Sequence, residues 1–268
     1  MPSCSCGLLR DREGKSYTNF ENYLLFWMKW FESWFDTAYY HALYAHRNDA
    51  EAMAFMDALV NHLQLDQGSK VVDVACGKGR HAAHLAEMGM QVLGLDLSEN
   101  SIEQAKRLDK DGARFLCHDM REDFPQNGFD AVFNLFTSFG YFESGQEDQR
   151  VLQNMYNACT LGGYVVQDYL NANSVIDDLP MEDTLERGGY KFQTRKYRTD
   201  THIVKDITVE DSGEVLMFQE KVRIFTKDEL LGLHQQAGLD VLEVFGDYSL
   251  GAFDDNSSPR IVLISKKS

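Results

Sequence analysis

The chain has 268 residues, 42 of them Asp or Glu against 26 Lys or Arg, and a formal net charge of −16. That length accommodates one large α/β domain with an appendage, and the acidic field disfavours a duplex or a transfer RNA as partner. The odd set of five cysteines, at 4, 6, 76, 117 and 159, reads as free thiols in a reducing cytoplasm rather than a disulfide framework.

Cys4 and Cys6 have no His or Cys partner at finger-like spacing, so no metal site is expected there or elsewhere, and the start lacks a secretory pattern. Between Tyr17 and His46 lie all three tryptophans, and Trp27, Trp30, Phe31 and Trp34 form one helical stripe. Lys29, Glu32 and Asp36 interrupt it, which excludes a bilayer span. Residues 1–48 therefore read as an aromatic helical cap, packed on the main domain or on a second copy in a homodimer.

From residue 49 helix and strand alternate: helix 49–64, strand 70–75, helix 79–88, strand 91–96, helix 98–109, strands 113–117 and 129–135, helix 146–159, strand 163–169. This order implies a parallel sheet covered on both faces. Gly162 and Gly163 read as the turn into the last of these strands. Residues 171–225 then alternate apolar and polar positions around an Asp211-Ser212-Gly213 turn, the mark of inserted antiparallel hairpins. Helix 226–237 and strands 239–246 and 260–266 finish the chain. The connection 247–259 is too short for a helical crossover, so the last strand is expected to run antiparallel. The main domain is thus 49–170 with 226–268, and 171–225 is a β-rich lid.

Strand 70–75 runs into Ala75-Cys76-Gly77-Lys78-Gly79, and Asp96 ends the next strand. Glycines admit a ligand close to the backbone, and a carboxylate at the following strand tip can accept from both hydroxyls of a ribose. Gly77-x-Gly79-x-x-Ala82 also satisfies a dinucleotide fingerprint. Three features point to a different nucleoside cofactor: Asp73 inside the strand, the Asp119-Met120 pair ending the third strand, and the antiparallel sheet ending.

Asp-Val-Ala-Cys-Gly-Lys-Gly-Arg-His, Gly-Leu-Asp-Leu-Ser, His-Asp-Met-Arg and Asn-Leu-Phe-Thr-Ser-Phe-Gly-Tyr-Phe occur in this order from residue 73. Together they resemble the class I S-adenosylmethionine-dependent methyltransferases, closest to bacterial methyltransferase-domain proteins similar to small-molecule methyltransferases. The resemblance implies a Rossmann-like seven-stranded sheet with an antiparallel last strand, S-adenosylmethionine as cofactor and a small-molecule methyl acceptor. Carried over by position, it sets Asp73, Ala75, Gly77 and Gly79 around the methionine part, Asp96 and Leu97 at the ribose, and Asp119 and Met120 at the adenine. Asn134, Leu135 and Phe136 would hold the ammonium through a carbonyl and wall the sulfonium.

For the acceptor, Tyr141 and Ser138 are the catalytic candidates. Tyr40, Arg47, Tyr141, Asn171, Tyr248 and Arg260 are the substrate-binding ones, with Tyr39 and Phe139 as further aromatic faces. Two arginines could grip a carboxylate in bidentate fashion. The insert and the loop 247–259 both leave at the ligand edge of the sheet and are expected to wall the site. A methyltransferase acting on nucleic acid or protein, and a cofactor-binding module without catalysis, are the alternatives.

Overall fold

The computed structural model describes residues 9–10, 16–17, 30–45, 49–108, 110–176 and 179–268. Cys4, Cys6, Trp27, His46 and Arg47 lie outside the described residues, and with them those parts of the sequence reading.

Strands β1 (Leu9–Arg10) and β2 (Ser16–Tyr17) pair antiparallel. Helices α1 (Trp30–Trp34) and α2 (Ala38–Leu43) follow, the second started by Thr37, whose Oγ1 accepts from the Tyr40 N–H at 2.9 Å. Helix α3 (Asp49–Leu63) leads into β3 (Lys70–Val74), α4 (Arg80–Glu87), β4 (Gln91–Asp96), α5 (Glu99–Lys106) and β5 (Ala113–Cys117). Next come β6 (Phe129–Asn134), α6 (Gly145–Ala158), β7 (Cys159–Leu170) and α7 (Asn173–Ile176). The insert holds β8 (Met181–Arg187), β9 (Tyr190–Arg198), β10 (His202–Asp211) and β11 (Glu214–Arg223). Helix α8 (Lys227–Gln236), β12 (Leu239–Phe245) and β13 (Arg260–Lys267) close the chain. Both α6 and α8 begin with a full capping box, Ser144 with Glu147 and Thr226 with Glu229.

The main sheet has seven strands in the order β12-β13-β7-β6-β3-β4-β5, with β13 antiparallel to both neighbours. The strand order reverses beside β3: the chain steps outward to β4 and β5, then returns to β6 on the other side. A crevice opens at that reversal, beyond the carboxyl ends of the strands. One face packs against Phe55, Leu59, Leu85 and Ile102 of α3, α4 and α5. The other shares a core with Leu152 and Leu230 of α6 and α8, with Trp34 of α1 and with Phe192 and Ile207 of the insert.

The insert is a four-stranded antiparallel sheet, β11-β10-β9-β8. Two of its turns have two residues each, both with positive φ: Gly188-Gly189 (59° and 84°) and Ser212-Gly213 (51° and 88°). This is the geometry that matches the natural twist of the flanking strands.

One expectation changes. Gly162 and Gly163 lie inside β7, not before it, because that strand begins at Cys159 and shifts register past β6. A Cβ at Gly163 would sit 2.9 Å from the Asp130 carbonyl oxygen and from Cys159 Sγ, so the shift requires a glycine. The aromatic stripe, in its described part, is spent within the chain: Trp30, Phe31 and Trp34 are all buried, Trp34 against Phe218 of the insert at 4.6 Å.

Gly79 and Gly68 separate packing from backbone strain. A Cβ on Gly79 would come within 2.6 Å of the Phe115 ring, whereas one on Gly68 meets nothing within 4 Å; both have positive φ. Gly68→Ala should cost roughly 1–2 kcal/mol of conformational strain, and Gly79→Ala a further ~1–3 kcal/mol for overpacking. Urea unfolding of the two variants checks the difference.

Candidate active site

The exits of β3 and β6 shape the crevice. Ala75, after β3, has φ 62°, and Gly77 and Gly79 follow at 54° and 79°. After β6, Phe136 and Thr137 are both left-handed, at 57° and 63°. Non-glycine residues adopt this conformation rarely and only when their surroundings enforce it. Here a buried network does so. Asp168 Oδ2 accepts from the Phe136 N–H at 2.7 Å, and the Asp168 carbonyl accepts from the Thr137 N–H at 3.1 Å. Arg260 Nε donates to Asp168 Oδ1 and its Nη2 to Thr137 Oγ1, both at 2.8 Å. Burial opposes the Arg260 charge, but the Asp168 carboxylate outweighs it and holds the guanidinium pKa above its usual value.

Asp96 fastens the glycine turn. Its Oδ2 accepts from the Gly77 N–H and its Oδ1 from the Ser98 N–H, both at 2.8 Å. An ionised carboxylate has about four acceptor positions, so each oxygen keeps capacity toward the cleft it lines. Burial raises the Asp96 carboxyl pKa, against the pull of those two N–H groups.

Asp73 is 2 % exposed, and its Oδ2 has no hydrogen-bond partner among the described residues. Burial first, and the like charge of Asp96 second, push its pKa up to about 7. An orphaned carboxylate oxygen in a polar cleft calls for a cationic donor. Asp119 is held by Arg121, with Nε at 3.0 Å from both carboxylate oxygens and Nη2 at 2.6 Å from Oδ2. Burial opposes ionisation there, yet the Arg121 hydrogen bonds prevail and the carboxyl lies below its usual range.

These groups share one cleft of about 820 Å³. Asp73, Ala75, Gly77, Asp96, Leu97, Asp119, Met120, Leu135 and Phe136 line it, as do Ser138, Tyr141 and Tyr40. The unpartnered Asp73 oxygen and the Asp96 carboxylate that fastens the glycine turn are among the groups it exposes to a ligand.

Several expected members stand elsewhere. Gly79 does not line the cleft; its missing side chain makes room for Phe115. Asn134 is fully buried, and its amide donates to the carbonyls of Val74 at 3.3 Å and Ser138 at 3.0 Å, bracing the two strand exits. Asn171 donates to the Asp255 and Ser258 carbonyls and so anchors the loop before β13. Arg260 is engaged by Asp168, and Tyr248 packs on the Phe55 and Phe136 rings at 4.6 and 5.2 Å. None of 247–259 lines the cleft; that loop forms a second layer behind Phe136. Tyr39 bonds Asp211, and Phe139 is buried against Tyr169 and Phe225.

The insert was expected to wall the site, and the residues by which it and the cap cover the cleft emerge from the fold. Trp30, Phe35 and Tyr44 of the cap and Glu220 and Val222 of β11 all line the cleft. So does His41, whose Nε2 has no hydrogen-bond partner among the described residues; burial, then the Lys78 charge, lowers its pKa to about 4. Asp36 bridges the cap to the start of α5, with one oxygen accepting from Ser98 Oγ and the other from Asn100 Nδ2 at 2.6 Å. Of these, Trp30 carried a local signal as a member of the aromatic stripe. The rest depends on contacts between segments distant in sequence.

A seven-stranded sheet of this order, with its last strand reversed and a nucleoside cleft at the switch point, is the architecture of class I methyltransferases. Residues 71–163 match the family described as "Methyltransferase domain". A dTDP-3-amino-3,4,6-trideoxy-alpha-D-glucopyranose N,N-dimethyltransferase of Streptomyces venezuelae is 28% identical over 181 residues, 64% of this chain and 71% of that protein. Among solved structures, Streptomyces venezuelae DesVI matches with TM-score 0.62 and 26% identity, covering 84% of this chain and 95% of that one. An S-adenosylmethionine-dependent methyltransferase of Clostridium acetobutylicum shares the fold at TM-score 0.73 and 15% identity, over 85% and 95% of the two chains. The chain is an S-adenosylmethionine-dependent methyltransferase.

Two outcomes follow from this geometry. A cationic group bound at Asp73 requires the carboxylate form, so with the pKa raised to about 7 in the free protein such binding releases a proton. Affinity for S-adenosylhomocysteine should be full above pH 7 and fall up to about tenfold per pH unit below it. Asp73→Asn should flatten that dependence, as read by calorimetry across the range. Arg260→Ala leaves Asp168 buried without its partner, which should cost roughly 3–5 kcal/mol in urea unfolding and weaken cofactor binding through the Phe136 wall.

Proposed function

We propose that this enzyme methylates a small-molecule acceptor in the cytoplasm. Enclosure carries the reading. Tyr40 and Tyr44 of the cap and Glu220 and Val222 of the inserted sheet wall the same cleft as Asp73 and Asp96. An acceptor that reaches the cofactor therefore lies beneath two elements at once, and the cleft falls within the roughly 300–1,000 Å³ of small-molecule sites. The net charge of −16 weighs against a nucleic-acid acceptor. Two relatives support a small acceptor by their names, the Streptomyces venezuelae dimethyltransferase above and a dTDP-3-amino-3,6-dideoxy-alpha-D-glucopyranose N,N-dimethyltransferase of Streptomyces fradiae. The free buried thiols Cys76 and Cys159 suit a reducing compartment, and no helix among the described residues is long and apolar enough to cross a membrane.

In this reading Asp73 meets the cofactor's ammonium, Asp96 its ribose hydroxyls, and Asp119 its adenine amino group. Met120 covers the ring, while Leu135 and Phe136 flank the sulfonium. The bound cofactor supplies an already activated methyl group, so the chain's task is alignment and exclusion of water, which can contribute up to ~7–11 kcal/mol. Tyr141 and Ser138 orient the acceptor from the loop after β6. The Tyr141 hydroxyl donates to the Thr137 carbonyl, and its ring packs edge-on to Trp30 at 5.5 Å, which fixes the aromatic face presented to the cleft.

Incubation of the full chain with methyl-labelled cofactor and a metabolite extract should place label in the small-molecule fraction. Label recovered only in protein or nucleic acid refutes the reading, and no transfer at all favours a binding module. Asp96→Ala should weaken S-adenosylhomocysteine binding by roughly 1.5–3 kcal/mol in a folded protein.

A further inference from the structure

We propose that Glu220 is the specificity-determining residue of the acceptor site and that it selects an acceptor carrying a protonated amine beside an apolar ring. The inference rests on the small-molecule reading above and names the chemistry that the cleft would accept.

Glu220 lies on β11, within the inserted sheet, and lines the cleft together with Val222. Its carboxylate only accepts. Oε1 takes hydrogen bonds from Trp34 Nε1 at 2.7 Å and Tyr44 Oη at 2.9 Å, and Oε2 lies 2.7 Å from Tyr44 Oη. Lys205 Nζ stands 3.0 Å from that same Tyr44 oxygen, which directs the Tyr44 hydroxyl proton toward Glu220. The carboxylate is thus oriented by cap residues on one side while its remaining lone pairs are available to the cleft.

The charges around it are asymmetric. Among the described residues, the cap and the insert contribute no Lys or Arg to the cleft lining; His41 is the one titratable base they supply. Burial, ahead of the Lys78 charge, keeps that imidazole neutral at ordinary pH. Lys196 and Lys205 neighbour Glu220 within the inserted sheet, but neither lines the cleft. On the acceptor side, then, the formal charge presented to a ligand is negative, and the surrounding faces belong to Trp30, Phe35, Tyr40 and Tyr44. Aromatic faces attract a cation through their quadrupole, and a carboxylate adds a charge-assisted hydrogen bond. Against the cap and the inserted sheet an anionic acceptor would meet repulsion, since the basic side chains of the lining, Lys78, Arg80 and Lys110, stand on the main domain, and a neutral one would forgo both attractions.

Benzylamine, benzyl alcohol and benzoate have similar size and differ in charge, so they separate the contributions. Their binding to the full chain saturated with S-adenosylhomocysteine can be followed by tryptophan fluorescence, since Trp30 and Trp34 adjoin the site. Benzylamine should bind at least about tenfold more tightly than benzyl alcohol, with benzoate weakest. Glu220→Gln keeps the side-chain shape and an acceptor oxygen, and it should bring benzylamine and benzyl alcohol to within about twofold. Calorimetry of S-adenosylhomocysteine should be unchanged in that variant. If wild-type protein binds S-adenosylhomocysteine yet shows no preference for the amine, or if the preference survives in folded Glu220→Gln, the assignment of Glu220 is wrong and the methyltransferase reading stands. Wild-type discrimination alone tests the selection of a cation should the variant not fold. Failure of the wild type to bind S-adenosylhomocysteine overturns the reading on which the proposal rests.

Discussion

The Asp168 carboxylate is the point on which the ligand edge of this sheet depends. It is fully buried, it caps the N–H of a left-handed phenylalanine, and its charge is met by Arg260. Without it, Phe136 and Thr137 would each face a conformational penalty of roughly 1–2 kcal/mol with nothing to impose the geometry. The reversed last strand is what supplies the partner. Arg260 opens β13, and because β13 runs against β7, its first residue lies opposite Leu170, at the carboxyl end where the cleft opens. A parallel last strand would bring its final residue, not its first, to that end. The antiparallel ending of the sheet is therefore a structural support for the site as well as a feature of topology.

The cap and the inserted sheet act as one roof over that edge. Trp34 and Tyr44 bond Glu220, Tyr39 bonds Asp211, and Arg187 donates to the Leu43 carbonyl. Asp36 then ties the same cap to Ser98 and Asn100, immediately after Asp96. Cofactor and acceptor regions are thus covered by elements that are bonded to each other. Access to either region requires parting contacts that also shape the other, which links cofactor exchange to the acceptor wall.

Much of the main sheet was legible because its signals are local. Buried strands such as Val71-Val72-Asp73-Val74 read as apolar runs, Ser98 marks a helix start, and the short 247–259 connection forced the last strand to reverse. The strand exits that line the cleft were legible for the same reason: Asp73, Gly77 and Asp96 lie within, just after or at the end of apolar runs that read as strands. Several expected site residues also have structural partners that no local pattern reveals: Gly79 makes room for a phenylalanine ring, the Asn134 and Asn171 side chains satisfy backbone carbonyls, and Arg260 neutralises a buried aspartate. The acceptor half escaped because Glu220 is one of many acidic residues on an alternating strand. Only the fold brings it beside Tyr44, 176 positions earlier in the chain.

Electrostatics unites the two halves. Asp73 and Asp96 share one cleft, and two effects raise the cost of ionising Asp73: the surrounding protein by excluding water, and Asp96 by its charge. A free site of this kind stores unfavourable interaction that a cationic ligand relieves. S-adenosylmethionine brings two positive groups, an ammonium and a sulfonium, and the roof adds the Glu220 carboxylate at the acceptor side. The overall charge of −16 points the same way, concentrating cations at the cleft and deterring polyanions. A site in which both ligands are drawn by negative charge also gains when they depart: the demethylated cofactor has lost its sulfonium charge, so it is held by one attraction fewer than the molecule that replaces it.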